Sequence, residues 1–196
     1  MRQADIIDKL NDKEIILNVY YTQLLLLVIA LISGIFLIGD WEAFYRLFEI
    51  DFFELIRYGI GGALIVLMFN GVLILFVPEK YYDDGGVNRR IFSILPYWHI
   101  VFLCMIVAFC EEILFRGVIQ TAFGLIPASI IFAIVHIRYL YKPLLFAATV
   151  LVSFFLGWLF LLTNNLWVTI VAHFLIDAVL GFMIRYQAAK EDRLNE

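Results

Sequence analysis

The chain has 196 residues, of which 64% are hydrophobic and 16% charged, with a formal net charge of −4 and a mean hydropathy of +0.94. A soluble domain is about 45–50% apolar and about 25% charged. The composition therefore excludes an ordinary soluble fold and points to a single integral membrane domain over residues 1–196, all-α, with the lipid bilayer as its surroundings. The charges are confined to a few segments, and no basic patch marks nucleic acid as a partner.

Met1 to Asn18 is polar and mixed in charge, so it is not a cleavable signal peptide. The first apolar helix then acts as an uncleaved insertion signal. A spanning helix needs about 20 mostly apolar residues. The first such run is Val19 to Gly39. Asp40 to Arg57 mixes Trp41, Phe44, Tyr45, Phe48, Phe52 and Phe53 with acids, which predicts an amphipathic segment at the interface. Tyr58 to Val77 is the second span. Gly59, Gly61 and Gly62 open it and favour close helix packing over a nucleotide loop, since no strand precedes them. Pro78 to Pro96 reads as a loop with a turn signal, Asp83-Asp84-Gly85-Gly86. The third span runs from Tyr97 to about Gly124. Pro127 suits the first turn of a fourth helix, which is short for a crossing and reaches only about Ile137. After a loop with Arg138 and Lys142, Pro143 starts the fifth span, Thr163-Asn164-Asn165 turns the chain, and Leu166 to about Tyr186 is the sixth.

Six spans put both termini on one side. That side also receives the Pro78–Pro96 and Arg138–Lys142 loops and most of the Lys and Arg, so the charge rule assigns it to the cytoplasm. Cys104 and Cys110 fall on one helix, and six residues turn them far apart around its axis, so they do not pair with each other. They read as small buried apolar residues. No Cys-x-x-Cys or His-Glu-x-x-His zinc signature occurs.

Glu111, Glu112 and Arg116 stand inside the third apolar span. Each ionised group near a bilayer centre costs roughly 2.5–3.5 kcal/mol. A chain that keeps all three together uses them. Adjacent helical residues point about 100° apart, so the two glutamates meet different surroundings. Glu112 and Arg116 are four apart, on one face, in the order that favours an ion pair. Arg116 then holds Glu112 and leaves Glu111 as the freer carboxylate, able to take and return a proton. Phe132 and His136 are also four apart, which sets the ring beside the imidazole. His173 and Asp177 share a face, which Gly181 continues and opens to close approach; Gly117 does the same beside Arg116.

The three clusters, Glu111-Glu112-Ile113-Leu114-Phe115-Arg116, Phe132-Ala133-Ile134-Val135-His136 and His173-Phe174-Leu175-Ile176-Asp177, resemble the motifs of the CPBP family, the CaaX proteases and bacteriocin-processing enzymes, also called the Abi family. These motifs read Glu-Glu-x-x-x-Arg, Phe-x-x-x-His and His-x-x-x-Asn or Asp. The resemblance covers about residues 97–186. It implies a membrane helix bundle around a polar intramembrane cavity, and an endopeptidase of the glutamic type that forms no covalent intermediate. Carried over by position, Glu111 is the general base on a water, assisted by His136. His173 and Asp177 stabilise the oxyanion, and Glu112, Arg116 and Phe132 support them. An ionised Asp177 would repel an oxyanion, so it is either protonated or orients His173. No metal or other cofactor is implied. The expected location is a bacterial cell membrane, and the expected substrate a membrane-associated peptide or protein rather than a prenylated one.

Three other readings compete. Glu111, His136 and His173 form a plausible zinc ligand set, which would make the chain a metalloprotease. The same fold could act as a non-enzymatic scaffold, although every motif residue is present. The carboxylates could also relay protons in a small transporter.

Overall fold

The computed structural model describes residues 10–78, 81 and 84–194. The polar stretch 1–9 and Asp83 of the turn signal lie outside the described residues. Among the described residues helix is the regular structure and no strand occurs. Five helices are long and apolar enough to cross a membrane. In chain order the elements are α1 (Asp12–Leu37), α2 (Trp41–Arg46), α3 (Phe52–Phe76), α4 (Val87–Ile94), α5 (Tyr97–Phe123), α6 (Leu125–Val135), α7 (Pro143–Thr163) and α8 (Leu166–Leu194).

Capping explains where the structure departs from the sequence expectation. α1 starts at Asp12, ahead of the apolar run, because Asn11 and Glu14 form a capping box. Asn11 Oδ1 accepts from the Glu14 amide at 3.0 Å, and Glu14 Oε2 accepts from the Asn11 amide at 2.7 Å. The expected single interfacial segment Asp40–Arg57 is two pieces. Asp40 caps α2 by accepting from the Ala43 amide at 3.0 Å. Asp51 then caps a new helix, accepting from the amides of Phe53 and Glu54 at 2.8 and 3.0 Å, and this helix runs on as the second span. The loop expected at Pro78–Pro96 contains α4. Gly85 and Gly86 take positive φ (86° and 79°), a geometry only glycine adopts freely, and Asp84 Oδ2 accepts from the Asn88 amide at 3.1 Å. α4 then buries Val87 and Ile91 against Ile15, Leu95 and Ile100.

Of the six expected spans, five are helices long and apolar enough to cross, and the fourth is a short helix. α6 has 11 residues. It therefore rises about 16 Å through a hydrocarbon layer about 30 Å thick. It stops at His136, whose backbone leaves the helical region (φ −79°, ψ 54°), and a 3-10 turn, Ile137–Tyr141, leads to Pro143. α7 has 21 residues, long enough to cross; its Gly157 lies against Leu125 at the start of α6 and Gln120 of α5, so α6 and α7 run antiparallel. The break leaves His136 at the C-terminal end of α6.

The two ends of the bundle are tied differently. At one end the link between α1 and α3 sits on the turn between α7 and α8. Leu47 O accepts from the Leu166 amide at 2.8 Å, Phe48 O from Trp167 Nε1 at 3.0 Å, and Glu49 O from Asn165 Nδ2 at 3.1 Å. At the other end, charged side chains clasp α1, α4 and α8. Arg90 pairs with Asp12 at 3.0 Å, Arg89 pairs with Glu191, and Arg185 Nη1 donates to Ser93 O at 2.6 Å.

Gly181 is a close-approach point. A Cβ there would lie 2.8 Å from two atoms of the Phe92 ring and 3.0 Å from Ile100 Cγ2. Gly181→Ala is therefore expected to cost about 1–3 kcal/mol by overpacking. The check is the melting temperature of the purified protein in detergent, and one equal to the wild type's would mean that α4 yields without cost.

Candidate active site

α5 changes its winding at the carboxylates. Glu111 and Glu112 end its α-helical part, Tyr97–Glu112, and Ile113–Gln120 continues as a π-helix with i→i+5 bonding. Such wide turns recur at functional sites. Thr121 Oγ1 donates to Arg116 O, five residues back, at 3.0 Å.

Glu112 is the hub. It is 0% exposed and its partner Arg116 is 1% exposed. Arg116 Nη1 donates to Glu112 Oε1 at 3.0 Å, and His173 Nδ1 lies 2.8 Å from the same oxygen. Arg116 Nη2 donates to Ser153 of α7, to its carbonyl at 3.0 Å and its hydroxyl at 3.1 Å. The guanidinium carbon lies 4.9 Å from the centre of the Phe132 ring. Burying such a pair is tolerable only when the remaining hydrogen-bonding groups find partners. Arg116 meets that condition through α7 and through the face of an aromatic ring.

Phe132 joins the pieces. Besides covering Arg116, its ring lies 4.6 Å from the His136 ring, 4.9 Å from Phe115 and 6.2 Å from His173, centre to centre. His136 Nδ1 lies 2.7 Å from Phe132 O. A carbonyl oxygen only accepts, so Nδ1 carries a proton and a neutral ring presents its lone pair at Nε2. On His173 the free choice is narrower. Nδ1 faces Glu112, and Nε2 lies 3.4 Å from Asp177 Oδ2. The Asp177 side chain is 34% exposed and stands at the rim.

Glu111 has different company. Its Oε1 accepts from Gln23 Nε2 of α1 at 3.2 Å. Glu111 Oε2, Glu112 Oε2 and Gln23 Oε1 are buried with no hydrogen-bond partner among the described residues. The structure thus joins Glu112, Arg116, Phe132 and His173 in one cluster, sets His136 against it through Phe132, leaves Asp177 at its edge, and gives Glu111, next to Glu112 in the chain, Gln23 of α1 as its partner. Gln23 and Ser153 are not among the sequence candidates. Each is a polar residue in an apolar span, which is the signal that could have found them.

The zinc ligand set fits poorly. Among the described residues no three His, Cys, Asp or Glu side chains converge as metal ligands. Both ring nitrogens of His173 already face carboxylates, and His136 Nδ1 faces a carbonyl.

Residues 93–179 match the family model described as type II CAAX prenyl endopeptidase, Rce1-like. Over 175 residues the chain is 43% identical to the uncharacterized protein YpbD of Bacillus subtilis (strain 168), an alignment that takes in 89% of this chain and 93% of that relative. The chain belongs to the CPBP family. No solved structure matches it. It is an integral membrane protein of a CAAX-type intramembrane protease family. The matched CPBP region holds all seven motif residues discussed above and leaves out α1 with Gln23.

Proposed function

We propose that the chain is an intramembrane endopeptidase that hydrolyses a peptide bond of a membrane-associated peptide or protein, with a water activated by Glu111 and without a metal. The observation that carries this reading is the unequal treatment of two neighbouring carboxylates. Glu112 Oε1 receives the Arg116 guanidinium at 3.0 Å and the His173 ring at 2.8 Å, whereas Glu111 receives only the neutral amide of Gln23 at 3.2 Å; each carboxylate keeps one oxygen with no partner among the described residues. A carboxylate tied to a guanidinium is a poor proton acceptor, and its free neighbour is a good one.

In the proposed sequence Glu111 takes a proton from water as the water oxygen attacks the scissile carbonyl carbon. The carbonyl π pair moves to oxygen. That oxyanion meets the Nε2–H of His173, which Asp177 orients before substrate arrives and Glu112 holds at Nδ1 throughout. Glu111 then returns its proton to the amide nitrogen as the C–N bond breaks, which yields a carboxylic acid and an amine. His136 Nε2, with Nδ1 held on Phe132 O, assists in positioning the water. A relative in Bacillus subtilis favours a bacterial membrane, where the substrate would be a membrane-anchored peptide or small protein.

The test compares peptide termini in membranes and medium from cells expressing the wild type or Glu111→Gln at equal abundance. Termini that depend on the wild type are expected to vanish in the variant, and to persist when the wild type is treated with a metal chelator. Termini and cellular phenotype that survive Glu111→Gln would sink the enzyme reading and favour a scaffold. Loss with chelator, restored by zinc, would favour a metalloprotease.

A further inference from the structure

Glu111 and Glu112 are adjacent, both buried, and answered by chemically different partners. Glu112 receives a guanidinium, which only donates and is permanently charged. Glu111 receives the neutral side-chain amide of Gln23, itself 5% exposed, at 3.2 Å. Gln23 lies in α1, outside the region that matches the family model. A glutamine in an apolar span is costly unless it is paired. Its amide differs from every cationic partner in one respect. It donates through Nε2 to a carboxylate and, turned by half a rotation, accepts through Oε1 from a carboxylic acid.

We propose that Gln23 is a positioning residue that holds Glu111 through both protonation states of the reaction cycle, donating to the ionised carboxylate and accepting from the protonated one. This rests on the assignment of Glu111 as general base. A cation at position 23 would lock Glu111 ionised, as Arg116 locks Glu112, and would hinder proton uptake. An apolar residue would leave a buried carboxylate with one fewer donor. The unpartnered Gln23 Oε1 fits the second half of the role, since it is the acceptor that the protonated state calls on.

The test reads Glu111 directly and needs no substrate. Full-length protein in lipid nanodiscs is titrated by infrared spectroscopy in the C=O stretching region of protonated carboxyl groups. The difference between wild type and Glu111→Gln isolates the Glu111 band. The same difference is then taken on a Gln23→Met background, Met being unbranched and of similar length. Losing a donor to the charged form disfavours that form, so the Glu111 band is expected to persist to higher pH, with its midpoint raised by about one pH unit. A purely structural role for Gln23 would lower protein yield and leave the midpoint where it was. An unchanged midpoint therefore overturns the proposal. Should Gln23→Met fail to accumulate, Gln23→Asn, which keeps the amide but draws it back by one methylene, carries the same expectation and the same overturning result. Loss of cleavage in Glu111→Gln with an unmoved midpoint would defeat the role of Gln23 alone. Cleavage retained by Glu111→Gln would defeat the base assignment instead.

Discussion

Arg116→Met is expected to cost about 3–5 kcal/mol of stability, the range for breaking a buried ion pair by removing one partner. The cost arises because Glu112, 0% exposed, would keep its charge with only His173 beside it. Lost contacts add to it, since the guanidinium also bonds Ser153 of α7 and stacks on Phe132 of α6. One side chain on α5 thus ties three helices together. The expected outcome is a strongly reduced amount of protein in the membrane and a lowered melting temperature in detergent. The double variant Glu112→Gln/Arg116→Met provides the control. Replacing both members of a buried pair by uncharged residues of similar size is often close to neutral, and the Gln oxygen can still accept from His173 Nδ1. Abundance is therefore expected to recover while cleavage does not. A single variant that accumulates and melts like the wild type would show that the pair contributes little to holding the bundle.

His173→Phe is expected to leave the protein in the membrane and lower cleavage by about 10²–10³-fold, the cost of removing one oxyanion donor. Phenylalanine keeps the flat ring that packs against Phe132, and Glu112 retains Arg116 at 3.0 Å, so no charge is stranded. Together the two variants test whether, of the two partners of Glu112, Arg116 serves the fold and His173 the proposed chemistry. A time course of the dependent peptide termini at matched abundance is the check. A rate within twofold of the wild type would remove His173 from the proposed mechanism and shift the oxyanion to another donor.

The chain order of acid, His, His and the four-residue spacings were legible because helical geometry is local. Glu112–Arg116, Phe132–His136 and His173–Asp177 each lie one turn apart, and each pair meets in the fold. The spans were legible for a similar reason, since hydrocarbon thickness turns composition into length. Their boundaries were not. They depend on caps such as Asn11, Asp40 and Asp51, which recruit polar residues into helices that an apolar count would exclude. The short α6 could be read as short, but its antiparallel packing along α7 could not, because that contact joins positions on two different helices.

By itself, then, the sequence determined an all-helical membrane protein with three one-turn polar pairs, because periodicity and bilayer thickness act on neighbours along the chain. Only the tertiary structure decided which partner each carboxylate receives. Glu112 is joined to His173 across 61 positions, Arg116 to Ser153 across 37, and Glu111 to Gln23 across 88. Each of these contacts joins different helices, so it depends on how the helices pack and not on spacing along any one of them.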